Sequence, residues 1–424
     1  MTTTAPTGRE HRIRRMLGRD PHEPHRAASP LELLYDLTLV VAFSQAGSQM
    51  AHLLELGHFG AAIGAFAFAM FAICWAWINY TWLASAFDND DILFRIATLV
   101  QMMGVLIMAL GMPALFHSVD AGAHIDNAVV VAGYVVMRVS TISLWLRIAH
   151  DDPRYRRSAR TYAVMIAIAQ IYWVALIFVA PPLLVTAVLV LIAGAFELLT
   201  PMIAERRGEG TPWHPHHVAE RYSLLVIIAL GEVVLGTVLA ISAVVESQGW
   251  SWEAGVVAFG GTALAFALWW LYFTMPSGEV LASHRERGFT WGYGHMVHFA
   301  SIAAAGAGLH VAASVIAEGS GGTGSEHTID PTAALLTLVI PVAIFTVGLF
   351  VLYSVLLRQI DLLHFWLFVG AMAALAAAVA VVASGASLAV GIAVTVLSPV
   401  VVIVGYETLG HRHQAAAVAR AIGG

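Results

Sequence analysis

The sequence predicts an all-α polytopic membrane protein of about twelve transmembrane helices. Three observations lead there. Of 424 residues, 59% are hydrophobic and only 11% charged, where a soluble chain usually has about a quarter charged. Apolar runs recur from Leu31 to Glu407, each close to the roughly 20 residues that cross a bilayer as a helix. The arginines follow an alternating pattern along the connections, and the chain contains no lysine. In hydrocarbon, backbone amides have no water to bond, so only helices and closed barrels span it. Stretches such as 373–382 are too continuously apolar for barrel strands.

The expected spans are 31–54, 60–85, 92–116, 127–149, 161–179, 183–203, 218–244, 254–275, 292–316, 332–357, 362–383 and 387–407. The first opens with Ser29, Pro30 and Glu32, a capping-box start. The second carries Trp75, Trp77, Tyr80 and Trp82, and the eighth Trp269, Trp270 and Tyr272. These aromatics read as interface belts and packing. Asp91 and Arg95, spaced i to i+4, read as a local pair ahead of the third span. Arg138 is the one arginine well inside a span, the fourth. Asp151-Asp152-Pro153 and Pro181-Pro182 bound the fifth, and Glu197 lies in the sixth. The seventh opens with Glu220 and Arg221 and holds Glu232 between Gly231 and Gly236. His295 and His298 begin the ninth, and glycines at 319–324 and Ser384-Gly385 punctuate the later spans.

Arginines set the orientation. The tail holds Arg9, Arg12, Arg14, Arg15, Arg19 and Arg26; the even-numbered connections and nearby helix ends hold twelve more, from Arg95 to Arg358; the C-terminal tail adds Arg412 and Arg420. The odd-numbered connections, around Gly57, Ala121, Pro181, Gly249, Gly322 and Gly385, hold none. Positive charge stays on the cytoplasmic side during insertion, which predicts both termini inside. Residues 1–28, polar and without an apolar core, read as a disordered cytoplasmic tail. The single cysteine, Cys74, reads as a core thiol.

The two halves rhyme. Residues 29–37 and 217–224 both open a helix with acids, and the second and eighth spans share aromatic clusters. This predicts two parallel six-helix repeats, 29–207 and 208–410, before a cytoplasmic tail of 411–424.

Two blocks carry a family resemblance. Leu31-Glu32-Leu33-Leu34-Tyr35-Asp36-Leu37 runs on through Phe43; Pro212-Trp213-His214-Pro215 runs on through His217, Glu220-Arg221 and Ile227-Ile228-Ala229-Leu230-Gly231-Glu232. Together they resemble the bacterial low temperature requirement A family of membrane proteins. Tyr35, where the family usually has phenylalanine, is a small departure. The resemblance implies a bacterial plasma-membrane protein connected with growth in the cold and carries over no catalytic residue.

Ionisable groups inside hydrocarbon are costly and mark functional candidates. Glu32 reads first as a helix cap. Asp36, one turn deeper on the same face, must pair, bind a cation or hold a proton. Glu232 reads either as a proton- or cation-binding carboxylate near the midplane or as a hydrogen-bonded group in a glycine seam. Arg138 needs a counter-charge, for which Asp36, Glu197 and Glu232 are the candidates. Glu220 suits the helix dipole and Arg221 is placed to snorkel. His298 is either a proton relay or a helix contact. His214, His216 and His217 lack the spacing and further ligands of a zinc site, and neither an enzymatic motif nor a cofactor site is recognisable.

The expected function is a proton- or cation-coupled secondary transporter with Asp36, Arg138 and Glu232 around one site. A cation or proton channel, a membrane-embedded enzyme and a membrane-state sensor are the alternatives. The expected partners are the lipid bilayer and a proton or small solute. The arginines track topology and form no dedicated nucleic-acid face.

Overall fold

The computed structural model describes residues 13–24, 26–122, 124–319, 329–358 and 362–423. Among these residues no strand forms, and a single isolated bridge joins His124 to Pro182. The spanning helices are α1 (Pro30–Glu55), α2 (Phe59–Phe87), α3 (Ile92–Leu110, continued by Met112–Ala121), α4 (Ala128–Asp151), α5 (Arg156–Val179) and α6 (Leu183–Glu205). They continue as α7 (Pro215–Gln248), α8 (Trp252–Phe273), α9 (Gly288–Gly319), α10 (Pro331–Leu357), α11 (Leu362–Ala383) and α12 (Leu388–Thr395, continued by Leu397–Gly405).

Among the described residues, eleven helices are long and apolar enough to cross a membrane. The remaining long helix is α1, 26 residues in length. It is less apolar because Glu32, Asp36 and the run of Ser44, Gln45, Ser48 and Gln49 lie along it. Its outward residues Leu33, Leu34, Leu37 and Val41 are exposed apolar side chains, while Glu32, Tyr35, Asp36 and Leu39 are fully buried. The acids therefore occupy the inner stripe of an otherwise lipid-compatible helix.

α9 is the hub, packed most extensively on α7 and α10 and also touching α1 and α2. Glycine permits the tightest crossings. A Cβ on Gly306 of α9 would lie 2.6 Å from the Glu232 carbonyl on α7, and one on Gly236 2.6 Å from the Gly306 carbonyl. Gly104 and Gly133 make the same kind of approach between α3 and α4.

Several expectations need correction. The described part of the N-terminal tail is docked rather than disordered. Met16 is fully buried, the Met16 and Gly18 amides donate to Asp151 and Asp152, and Arg19 Nη1 donates to the Asp88 carbonyl. Acids in the connections replace water as acceptors for the tail backbone, which composition alone does not reveal. Residues 1–12, with Arg9 and Arg12, and most of 319–324 lie outside the described residues. Arg95 pairs with Asp90, not Asp91. Asp91 instead caps α3 and binds Arg147. Burial opposes the Asp91 charge, but hydrogen bonds from Arg147 and from the Phe94 and Arg14 amides outweigh it and hold the carboxyl at about 2. Trp75, Trp77 and Tyr80 form no belt; all three are fully buried, whereas Trp269 and Trp270 are exposed. At the other end of the chain, helix His411–Gly423 docks through Gln414 on the Thr274 carbonyl.

Asp88, at the foot of α2, yields a pH prediction. Burial lifts its carboxyl to about 6. A raised value in the folded state means that neutral Asp88 favours the fold. That contribution is whole below about pH 4 and is lost as pH rises through about 6. Asp88→Asn should raise the thermal midpoint at about pH 7.5 and leave it near wild type at about pH 4. Equal midpoints for the two proteins at both pH values would rule this out.

Candidate functional site

Two buried ion networks flank α2. The first joins α1 to α7. Asp36 and Arg221 each lie six residues beyond the proline that opens their helix, Pro30 and Pro215, so both sit about 9 Å in at helical rise. Arg221 Nε and Nη2 donate to the two Asp36 oxygens at 3.2 and 2.5 Å. Its Nη1 stands 2.8 Å from Glu32 Oε1. The other Glu32 oxygen accepts from the Ser29 amide, which closes the expected capping box. His217 Nε2 lies 3.3 Å from Glu32 Oε1. Trp77 Nε1 donates to Asp36 at 2.7 Å, and the Arg221 guanidinium packs over the Trp77 and Tyr80 rings. Glu32, Asp36, His217 and Arg221 are all fully buried.

The second network joins α4 to α6. Arg138 Nη2 donates to Glu197 Oε2 at 2.7 Å, and both groups are buried. Glu197 also accepts from Trp75 Nε1 and the Tyr134 hydroxyl at 2.9 Å each, and from Trp173 Nε1 at 3.4 Å. Trp75 and Trp77 are two residues apart, about 200° around a helix, so α2 turns one indole to each network. Tyr35 is within electrostatic reach of Arg138 and Arg221, and its buried hydroxyl has no hydrogen-bond partner.

The expected trio of Asp36, Arg138 and Glu232 is not assembled. Asp36 belongs to Arg221, and of the three possible partners for Arg138 the structure selects Glu197. Glu232 faces Ser44 of α1 within the seam of Gly236 and Gly306; a Cβ on Gly231 would meet nothing within 4 Å, so Gly231 is not part of that seam. Arg221 does not snorkel, because Asp36 and Glu32 meet its charge inside. Sequence reasoning missed His217 and the two indoles; equal depth on paired helices was the available signal for Asp36 with Arg221.

Above the first network, at the arginine-rich end, lies a polar pocket of about 540 Å³. Arg26, His214, His216, Glu220 and Arg285 line it. Arg285 stacks on Trp213, 4.2 Å from its ring centre. His214 also caps α7: its Nδ1 accepts from the His217 amide, and its Nε2 donates to the Glu23 carbonyl. His214 thus joins the pocket lining to the helix turn that carries His217 beside Glu32. Glu220 faces the pocket and takes no part in the network. His298 lies apart from both networks, on α9, with its Nδ1 donating to the Gly294 carbonyl.

Comparison with known proteins agrees with these blocks. The family model of the bacterial low temperature requirement A protein matches residues 27–400. A protein of Rhizobium meliloti (strain 1021), described as uncharacterized, is 26% identical over 253 residues; the match covers 58% of this chain and 58% of that relative's length. No solved structure matches. The family match extends from two residues before the α1 cap to within α12, and the chain belongs to the bacterial low temperature requirement A family.

Proposed function

We propose that the protein is a proton- or cation-coupled secondary transporter, rather than an enzyme, in a bacterial plasma membrane with both termini in the cytoplasm. The observation that carries this reading is the charge balance of the first network. Two carboxylates, Glu32 and Asp36, share one guanidinium, Arg221. With a neutral His217 the side chains in direct contact carry one excess negative charge; Arg26 reaches Glu32 at longer range but is set against Asp88. Such a charge inside hydrocarbon is expensive, and one proton or monovalent cation removes it.

His217 is a suitable entry point, since its Nδ1 is buried without a partner while Nε2 faces Glu32. The loaded network is neutral and tolerates the occluded arrangement of α1 against α7. The unloaded one retains excess charge, draws water, and favours opening toward the pocket lined by Arg26 and His214. In this reading the twelve helices form two halves, 29–207 and 208–410, with α1 and α7 as the first helix of each. Arg138 with Glu197 is charge-balanced and serves as a scaffold.

The test is proton uptake into proteoliposomes under an imposed potential, with a pH dye inside. Wild type should acidify the lumen, Glu32→Gln and His217→Phe should lose most of that flux, and Glu232→Gln should keep it. Equal flux in wild type and both network variants would overturn the proposal. Single-channel currents from wild type would favour a channel built on the same groups.

A further inference from the structure

Three separate pieces of chain wall the polar pocket at the arginine-rich end: tail residues 21–27, the start of α7, and residues 282–285 just before α9. Several of its polar groups are already engaged. Both Glu23 oxygens accept from Arg19 Nη2, at 2.7 and 2.8 Å. Arg26 gives its Nη2 to the Ala84 carbonyl and faces Asp88 at 3.9 Å. Both His214 nitrogens are used, one by the His217 amide and one by the Glu23 carbonyl.

Two opposite charges are left over. The Arg285 guanidinium sits on the Trp213 ring. Its hydrogen bond is a long one, 3.5 Å from Nη2 to the Thr211 carbonyl. The acid that acts on it, Glu205, does so only at longer range, and that carboxylate is occupied by the Tyr162 hydroxyl and by the Thr211 amide and hydroxyl. Burial therefore pushes the Arg285 guanidinium down from its ordinary value. Glu220 has no hydrogen bond or ion pair among the described residues. The helix start does not account for it, since Glu220 lies five residues past Pro215, beyond the turn where the dipole acts, and His214 supplies the cap. Arg285 and Glu220 thus share one pocket without reaching each other. A gap between unpaired charges of opposite sign suits a molecule that carries both.

We propose that this pocket binds a free amino acid with an uncharged side chain, its carboxylate on the Arg285 fork and its ammonium on Glu220. A guanidinium seated on an indole face keeps its edge free, and that edge matches a planar carboxylate. Much of the remaining wall is Pro21, Pro24, Ala27, Pro215 and Ala282, which offer a charged side chain no partner. As the solute carried, the amino acid rests on the transport reading; its binding does not.

The test is isothermal titration calorimetry on the full chain in detergent, without any gradient, with glycine, L-leucine, L-phenylalanine and L-glutamine as probes. At least one should bind. Its amide lacks the carboxylate and its N-acetyl derivative lacks the ammonium, and each should bind at least about tenfold more weakly. Arg285→Met should weaken the amino acid to a similar degree. So should Glu220→Gln, which removes no contact from the fold and keeps the test valid if Arg285→Met proves unstable. Silence from all four probes, full affinity in Glu220→Gln, or equal affinity for either derivative would overturn the proposal. Displacement of the amino acid by an equal concentration of a short-chain ethanolamine phospholipid would assign the site to a headgroup and overturn it too. Binding without flux in proteoliposomes would leave this site standing and remove the transport reading alone.

Discussion

Arg221→Met is expected to destabilise the protein by about 3–5 kcal/mol, the range found when one partner of a buried ion pair is removed. The reason is electrostatic. Three nitrogens of this guanidinium meet Asp36 and Glu32, and among the described residues no other arginine hydrogen-bonds to either carboxylate, Arg26 acting on Glu32 only at longer range. Without it two acids face each other in hydrocarbon, four residues apart on one helical stripe. Arg221→Lys should fall between wild type and Arg221→Met, because one ammonium cannot reproduce a fork that bridges two carboxylates. The triple variant Glu32→Gln, Asp36→Asn, Arg221→Met should regain much of the lost stability, since neutral amides still accept from Trp77 and Ser29. Thermal midpoints by intrinsic fluorescence, with size-exclusion profiles, measure all three. A single variant as stable as wild type would mean that the two carboxylates do not depend on Arg221.

The membrane fold was legible because its signals are local. A run of apolar residues long enough for a bilayer, ended by Pro181-Pro182 or Ser384-Gly385, needs no knowledge of neighbours. The capping box at Ser29 and Glu32 was equally local, and it formed. Pairing between helices was not legible, because it depends on depth and rotation together. Arg138 could be seen to need an acid, yet nothing in the sequence ranks Glu197 over Asp36 until α4 and α6 are placed side by side. Glu232 was conspicuous beside Gly231, but the glycines that determine its surroundings are Gly236 and Gly306, the latter 74 positions further along the chain. The indoles were read only in part for a similar reason: Trp75 and Trp77 pack as expected, but their resemblance to a belt in one dimension gives way to hydrogen bonds with two different networks in three. Tail docking at Asp91, Asp151 and Asp152 escaped notice because a polar Arg-rich segment has the composition of disorder until acceptors for its backbone are supplied.

Glu197→Leu should be at least as damaging as loss of Arg221, and the second network allows its cause to be isolated. Glu197 receives Arg138, Trp75, Tyr134 and, more distantly, Trp173; removing it strands one buried cation and up to three neutral donors. A loss of about 3–5 kcal/mol is expected from the cation alone, with roughly 1–3 kcal/mol for each neutral donor left unsatisfied. Glu197→Gln retains an acceptor for the indole and phenol, so its loss should reflect chiefly the uncompensated Arg138. Adding Arg138→Met to Glu197→Gln removes that charge and should restore stability toward wild type, because a buried ion pair replaced by well-packed neutral groups is often neutral in effect. The same double variant separates scaffold from transport. If the α4–α6 pair only holds helices together, proteoliposomes carrying the double variant should move protons as wild type does, while Glu32→Gln should not. A stable double variant without flux would place Arg138 and Glu197 in the proton path and remove the distinction between the two networks on which the charge-balance reading depends.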